Sequence, residues 1–206
     1  MTLHVVSHPL VEDALAALRD RRTPPGEFRA LSRRVSLLVV AEATRDLPTA
    51  EAGVETPLES ARVHRLGGRV VAVPVLRAGL GMLDAFLDLV PSAEVGYYGL
   101  ERDEVTASAH RYYDKVPGDL GAAATYVLDP MLATGGSAAH AIADLESRGA
   151  RRIRLLSIVA APEGLAHLEK VVPATDVYAA ALDRQLDDRY YIRPGLGDFG
   201  DRLFGT

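Results

Sequence analysis

One short stretch of the chain combines an acidic residue, a glycine-rich turn and the start of a helix. Residues 126–128 end an apolar run, Asp129 follows, and residues 134–137 (TGGS) precede a helical pattern. A glycine-rich turn that opens a helix directs several backbone N–H groups to one point, where the helix dipole favours an anion. Hydroxyls at Thr134 and Ser137 add donors. The stretch therefore predicts a phosphate site, with Asp129 at a strand end for sugar hydroxyls or a magnesium ion.

Two further blocks have the composition of ligand-binding turns. Residues 70–76 form an apolar run, and residues 77–81 (RAGLG) follow it. Arg77 would stand at a second strand end, as a cation able to grip phosphate oxygens in a fork. Residues 191–201 contain several glycines and a proline, which indicates a tight loop whose backbone groups face a ligand.

Each of these features also has a simpler structural interpretation. The segment from Asp129 to Ser137 could be a plain strand-to-helix connection, and Arg77 could be an ion-pair partner. Arg102, a further candidate cation in the polar segment over residues 101–119, could be an ordinary exposed loop residue. Asp198 could cap a turn through its own side chain.

Length and composition indicate a single enzyme domain over residues 1–206. The hydrophobic content is 48%, the charged content is 25% and the formal net charge is −5. That charge argues against a nucleic-acid binder with a broad basic surface. The chain has no cysteine, and its six histidines lack metal-ligand spacing, so no protein-ligated metal cluster is predicted. No apolar run is long enough to span a bilayer and no signal pattern is present, so we expect no membrane association and a cytoplasmic location.

Strand-like and helical patterns alternate along the chain. Predicted strands cover residues 69–76, 94–100, 123–128, 152–161 and 176–182. Predicted helices cover residues 10–19, 27–44 and 80–89, with two more after residues 137 and 162. Residues 48–68 are interpreted as a connection, and residues 101–119 have no clean period. Strands separated by helices predict an α/β fold with a mainly parallel central sheet flanked by helices.

Four blocks of the sequence resemble the uracil phosphoribosyltransferases, a branch of the type I phosphoribosyltransferases. The blocks are VPVLRAGLGM (73–82), LDPMLATGGSA (128–138), VAAPEG (159–164) and YIRPGLGDFGDRLFGT (191–206). The opening segment HPLVEDALAALRD (8–20) also fits, so the resemblance spans nearly the whole chain. It implies the type I fold, with a base-binding hood formed by the N- and C-terminal segments.

The resemblance implies a pentosyltransferase of pyrimidine salvage. Such an enzyme joins uracil to 5-phosphoribosyl 1-pyrophosphate and releases UMP and pyrophosphate. Its transition state resembles a ribosyl oxocarbenium ion, so positioning and electrostatics would supply most of the catalysis. Asp129, Arg77, Arg102 and Asp198 are the implied catalytic residues.

The implied donor site combines these four residues with the glycine-rich turn. Backbone amides of residues 133–137 would hold the 5′-phosphate, Asp129 the ribose hydroxyls, and Arg77 with Arg102 the pyrophosphate. The other implied donor-binding residues are Pro130, Met131, Leu132, Ala133, Thr134, Gly135, Gly136 and Ser137. The polar segment after Arg102, through Lys115, resembles the loop that closes over the donor in this family.

The implied uracil site is the last glycine-rich block. Its residues are Ile192, Gly197, Asp198 and Phe199, whose backbone groups would match the edge of the base. Mg²⁺ is implied as cofactor through the donor. A homodimer is expected as the commonest closed assembly. GTP is a candidate effector, because some family members respond to it.

Two positions depart from the family pattern and keep alternative functions open. Phe199 stands where the family usually has alanine, and Arg193 stands where an apolar residue is usual. The ring of Phe199 could shrink the base pocket, stack on a base or turn outward. The alternatives are a phosphoribosyltransferase for another heterocyclic base, or a non-catalytic nucleotide-sensing relative.

Overall fold

A mainly parallel sheet forms the centre of the molecule. The computed structural model describes residues 1–102 and 109–206, with only the backbone at 101, 102, 109 and 110. The sheet has the order β1-β11-β10-β8-β4-β6-β7, with β5 beside β4 and β9 beside β10. Neighbours are parallel except for β6 and β7. Its strands are β1 (Leu3–Val5), β4 (Arg69–Leu76), β5 (Glu94–Val95), β6 (Tyr97–Arg102), β7 (Ala109–Lys115), β8 (Ala123–Leu128), β9 (Met131–Leu132), β10 (Arg152–Ala160) and β11 (Asp176–Leu182).

Helices and two small hairpins surround this sheet. The hairpins are β2 (Thr49–Glu55) with β3 (Ser60–Leu66), and β12 (Gln185–Leu186) with β13 (Ile192–Arg193). The helices are α1 (Pro9–Arg19), α2 (Pro25–Ala43), α3 (Leu80–Leu89), α4 (Gly136–Ser147), α5 (Pro162–Val171) and α6 (Phe199–Phe204). Within the described ranges, no helix combines the length and apolar content that a bilayer crossing requires.

Central strands are buried on both faces, which explains their nearly continuous apolar sequences. Every residue of β8 is buried. In β4, Val70 and Ala72 pack into the core beneath α1, α2 and α3, whereas Val71 and Val73 pack into the core that includes α4 residues. The strand period of two thus divides one apolar run between two cores.

The predicted strands and helices are confirmed, with small shifts at their ends, except that the strand predicted over residues 94–100 is divided into β5 and β6. The prediction of a connection over residues 48–68 is wrong, because β2 and β3 form a regular antiparallel hairpin there. Most residues of this hairpin are exposed on both faces, so its sequence lacks the apolar alternation of a half-buried strand. Part of the aperiodic segment 101–119 is likewise a strand, β7.

Candidate functional site

Asp129 and the turn that begins at Arg77 lie at the same edge of the sheet. β4 and β8 are neighbouring parallel strands, with Pro74 opposite Leu128, and both polar residues follow the carboxyl ends. A Cβ at Gly79 would lie 2.3 Å from the carbonyl oxygen of Leu128. Glycine therefore lets the turn after β4 pack directly on the end of β8. The carboxyl edge of a parallel sheet is where such folds bind ligands, as the sequence predicts.

Backbone hydrogen bonds fix the segment that carries Asp129. Its N–H donates to Leu156 at 3.1 Å, and its carbonyl accepts from the buried hydroxyl of Ser157 at 2.7 Å. The carbonyl of Pro130 accepts from the N–H groups of Ile158 and Val159, both at 3.0 Å. Asp129 therefore has a backbone fixed at the carboxyl edge of the sheet.

Burial raises the pKa of the Asp129 carboxyl to about 6 from its usual 3.8, against a small opposing effect of the Met131 N–H. That N–H donates to the carboxylate over 3.4 Å, which is a weak bond. In the described part of the chain no cation pairs with this side chain. A desolvated, unpaired carboxylate at a strand end is suited to bind hydroxyl donors or a cation.

The glycine-rich turn forms an open cradle at the start of α4. Gly135 has φ +78° and precedes the helix without a side-chain cap. Within residues 1–102 and 109–206, the N–H groups of Ser137 and Ala138 make no hydrogen bond. These are first-turn N–H groups, which a helix cannot satisfy internally. Together with the helix dipole they make an anion site, as predicted.

A glycine of the next helix supports the cradle from behind. A Cβ at Gly164 would lie 2.4 Å from the carbonyl oxygen of Ala133 and 3.1 Å from that of Leu132. A Cβ at Gly135 would in turn lie 2.8 Å from the carbonyl oxygen of Gly164. The two backbones therefore touch. The sequence singled out the segment 162–164 only as part of the resemblance, and its supporting role was missed.

The side chain of Arg77 makes only long contacts. Its guanidinium lies 4.0 Å from the carboxylate of Asp201, and both side chains are exposed. It also lies 5.5 Å from the ring centroid of Phe204. An exposed pair at this distance contributes little to stability. The structure thus does not favour the simpler interpretation of Arg77 as a structural ion-pair partner, and its guanidinium is available to an anion.

Arg102 and the predicted closing loop are only partly described. Arg102 is the last residue of β6, which lies beside β4. Its side chain lies outside the described residues, as does the part of the loop over residues 103–108. Their roles therefore stay predictions.

The last glycine-rich block lines a separate small cavity. Its volume is about 280 Å³. The lining residues are Met131, Ala133, Arg189, Tyr190, Tyr191, Ile192, Gly197, Asp198 and Phe199. Met131 follows Asp129 by two residues and Ala133 begins the cradle, so this cavity adjoins the predicted phosphate site. The structure thus brings the predicted base-binding and donor-binding segments together.

Asp198 caps the helix that follows the loop. One carboxylate oxygen accepts from the N–H of Asp201 at 2.9 Å, and α6 begins at the next residue. The capping role that the sequence left open is therefore confirmed. The same side chain borders the cavity, so the cap also fixes where its carboxylate stands.

The ring of Phe199 lies in the core, at the edge where this residue also lines the cavity. It is 2% exposed and meets the ring of Phe28 edge-on, with 5.3 Å between centroids. A Cβ at Gly81 would lie 2.8 Å from this ring. Of the three alternatives for this ring, the outward orientation is wrong, because packing against α2 and α3 holds the ring inside.

The charge of Arg193 is engaged outside the cavity, which this residue does not line. Its Nε donates to the carboxylate of Asp187 at 2.7 Å. That carboxylate accepts from the N–H groups of Tyr191 and Arg189, and these bonds, with Arg193, lower the pKa of Asp187. Arg193 therefore stabilises the β12–β13 turn and presents no free cation to the cavity.

Replacing Phe199 with alanine should lower the free energy of unfolding by about 3–5 kcal/mol, because it leaves a cavity between α2, α3 and α6. It should not improve the use of a base. Urea unfolding and steady-state kinetics check both points. Phe204→Ala, on the exposed side of the same helix, is the stability control and should cost less than about 1 kcal/mol. A lower KM for the base in Phe199→Ala would contradict the core assignment.

Comparisons with known proteins match nearly the whole chain to proteins that share one description. The family model described as uracil phosphoribosyltransferase matches residues 5–206. Proteins named uracil phosphoribosyltransferase from Shouchella clausii and Symbiobacterium thermophilum are each 49% identical to it. The first match covers 99% of this chain and 98% of the relative, and the second covers 98% and 97%.

Solved structures agree with the sequence comparison. The AQ2163 protein from Aquifex aeolicus has a TM-score of 0.94 at 34% identity, covering 100% of this chain and 99% of that one. A hypoxanthine-guanine phosphoribosyltransferase from Bacillus anthracis has a TM-score of 0.54 at 11% identity, covering 77% and 80%. The latter shows the fold alone, which is the predicted type I phosphoribosyltransferase fold.

Proposed function

The chain belongs to the uracil phosphoribosyltransferase family, and we infer from this that it transfers the phosphoribosyl group of 5-phosphoribosyl 1-pyrophosphate to uracil. The products are UMP and pyrophosphate, so the enzyme is a pentosyltransferase of pyrimidine salvage. The observation that carries this conclusion is the match over nearly the full length, which includes both the cradle and the loop at the cavity. Of the two departures that favoured another base, Phe199 has its ring packed in the core and Arg193 is paired with Asp187.

We assign the 5′-phosphate of the donor to the cradle over residues 133–137. Among the described residues, the N–H groups of Ser137 and Ala138 at the start of α4 make no hydrogen bond, and the positive φ of Gly135 opens the turn. Arg77 stands at the neighbouring strand end, paired only at 4.0 Å with the exposed Asp201 among the described residues, and would hold the pyrophosphate. A guanidinium keeps its charge throughout the reaction and stabilises the negative charge that grows on the leaving group.

Asp129 would accept hydrogen bonds from the ribose hydroxyls. The reaction breaks the bond between C1 of the ribose and a pyrophosphate oxygen, forms a bond from C1 to N1 of uracil, and releases the N1 proton. As the first bond lengthens, positive charge develops on the ribose ring. A desolvated carboxylate beside the ring stabilises that charge more strongly than it would in water.

Uracil would occupy the cavity bordered by Gly197 and Asp198. In the described ranges, the N–H and C=O groups of Gly197 and the N–H of Asp198 make no hydrogen bond. Such groups can pair with the donor and acceptor edge of uracil. Cytosine presents a different pattern and would leave polar groups unpaired, which is the physical basis of discrimination.

Mg²⁺ is proposed as the cofactor and would reach the protein mainly through the donor. Among the described residues, no group of three or more His, Cys, Asp or Glu side chains is placed to cage a metal. Mg²⁺ is commonly held by one or two carboxylates together with substrate phosphates, so this donor set fits. The unpaired carboxylate of Asp129 and that of Asp198 would hold it, the former through ribose hydroxyls or water. When bound, the ion would neutralise charge on the pyrophosphate.

The function is tested by measuring pyrophosphate release and nucleotide formation with the donor and Mg²⁺. Uracil, cytosine, other pyrimidines, purines and a reaction without base form the panel. We expect turnover with uracil and UMP as the product. Pyrophosphate release with a different base alone would reassign the cavity to that base. No release with any base, while the donor still binds, would indicate a nucleotide sensor.

The homodimer, GTP as effector and the cytoplasmic location remain proposals that rest on the family resemblance. Sedimentation of the purified chain, and kinetics with and without GTP, would test the first two.

A further inference from the structure

An ion pair joins α1 to the residue after β11, and it contacts the glycine-rich loop over residues 191–201 (the base loop). Arg19, in the last turn of α1, donates to both carboxylate oxygens of Asp183, at 2.8 and 2.6 Å. Asp183 immediately follows β11, and its N–H donates to Ala160 at 2.8 Å. The carboxylate is therefore anchored to the sheet, and the guanidinium to the N-terminal helix.

Both members of this pair also bind the backbone of Gly195. One carboxylate oxygen of Asp183 accepts from the N–H of Gly195 at 2.8 Å, and Arg19 donates to the carbonyl of Gly195 at 2.8 Å. The two polar backbone groups of one loop residue are thus held by two charged groups. Hydrogen bonds to charged partners are stronger and more directional than neutral ones.

The loop at this point has a shape that only glycine allows. Gly195 has φ +62°, and a Cβ there would lie 2.1 Å from the carbonyl oxygen of Ile192. The next carbonyl, that of Leu196, accepts from Arg202 at 2.7 Å. Arg202, in α6, also donates to the carbonyl of Asp20 at 2.6 Å, so its side chain bridges the loop to the end of α1.

The hydrogen bonding of the loop backbone changes between Leu196 and Gly197. The backbone groups of Gly195 and the carbonyl of Leu196 are bound within the protein, whereas those of Gly197 make no hydrogen bond among the described residues. Gly197 and Asp198 border the cavity. The position of the groups that face the base is thus set by the clamp just before them.

Burial makes this pair more suited to positioning than to general stabilisation. The side chain of Asp183 is 5% exposed and that of Arg19 is 26% exposed. Buried ion pairs often contribute little net stability, because the desolvation of both charges offsets their attraction. They do impose a defined geometry, and here that geometry is transmitted to the loop.

We propose that Arg19 and Asp183 are positioning residues for the base: their ion pair clamps Gly195 and so places the Gly197–Asp198 backbone for hydrogen bonding to uracil. The inference rests on the proposed function. Neither residue borders the cavity, so both would act through the loop and neither would contact the substrate. The donor cradle lies on other elements and would not be affected.

The clamp is tested with two conservative variants, Asp183→Asn and Arg19→Lys. Asparagine keeps the size of Asp183 but loses the charge and one acceptor, and lysine cannot bind the carboxylate in a fork while also reaching Gly195. We expect kcat/KM for uracil to fall about ten-fold, roughly the loss of one charge-assisted hydrogen bond. KM for the donor should stay within about two-fold of wild type.

The matched control is Asp46→Asn at the opposite edge of the sheet. Asp46 pairs with Arg154 at 2.5 and 2.6 Å, and Arg154 also donates to the backbone carbonyl of Ala43 at 2.6 Å. This pair has the same chemistry but no connection to the base loop. We expect Asp46→Asn to lower the unfolding midpoint and leave both kinetic constants unchanged.

Several outcomes would overturn the clamp. Unchanged uracil kinetics in both variants, a parallel loss for donor and uracil, or the same uracil loss in Asp46→Asn would each do so. If Asp183→Asn does not fold, Arg19→Lys decides. If wild type forms UMP but the variants show no loss specific to uracil, this inference alone is contradicted. If wild type releases no pyrophosphate with any base, the proposed function is contradicted and the inference with it.

Discussion

Asp129→Asn is expected to lower kcat/KM for the donor by at least about a hundred-fold, the usual effect of removing one electrostatic contact to a developing charge. Asparagine keeps the shape of the side chain but cannot offer a negative charge to the ribosyl cation. The backbone bonds that hold this segment involve main-chain groups and Ser157, so they remain. Steady-state kinetics with varied donor and saturating uracil measure the effect.

The same substitution should make the free protein more stable at neutral pH. A carboxyl whose folded pKa is raised takes up a proton more readily when folded, so its ionisation above that pKa opposes folding. The rise from 3.8 to about 6, at about 1.4 kcal/mol per pH unit, corresponds to up to about 3 kcal/mol at pH 8. Urea unfolding of both proteins at pH 5 and pH 8 should show a gain for Asp129→Asn that grows with pH.

The pH dependence of the wild-type enzyme should report the same group. Because the ionised carboxylate is the form that accepts ribose hydroxyls, kcat/KM for the donor should fall as the pH drops through about 6. The phosphates of the donor titrate nearby, so the informative signal is the part of the acid limb that disappears in Asp129→Asn. Asp13→Asn, on the exposed face of α1, should retain the full limb. An unchanged acid limb or unchanged turnover in Asp129→Asn would refute the assignment.

Gly164→Ala is expected to raise KM for the donor by an order of magnitude or more, about 1.4 kcal/mol or above. The new methyl group would overlap the carbonyl oxygen of Ala133 at 2.4 Å, and that residue begins the cradle. Either the cradle or the start of α5 must move. Helix propensity alone would favour alanine over glycine by about 1 kcal/mol, so a loss would come from the contact and not from the helix.

A second glycine in the first turn of a helix provides the control for this experiment. In α2, a Cβ at Gly26 has Arg29 as its nearest neighbour, at 4.0 Å. Gly26→Ala should therefore leave the kinetics unchanged and stabilise the protein slightly. Thermal unfolding and donor kinetics of both variants separate the two cases. Normal donor KM in a folded Gly164→Ala protein would show that the cradle does not depend on this packing.

The sequence by itself determined the features that depend on local pattern. Apolar runs bounded by turns gave β4, β8 and β11 with the bounds that the structure has. The glycine-rich turn before α4 was recognisable because its function depends on backbone N–H groups of consecutive residues. Asp129 could be assigned to the site because parallel strands bring their carboxyl ends to one edge.

Only the tertiary structure decided the features that depend on residues far apart in the chain. The direction of the Phe199 ring is set by Phe28 and Gly81, which no local pattern connects to it. The link from Arg19 through Asp183 to Gly195 joins the two ends of the chain, and a single charge in a sequence does not name its partner. Local periodicity follows from bonds between near neighbours, whereas the identity of a contact across the core follows from packing that the whole chain achieves at once.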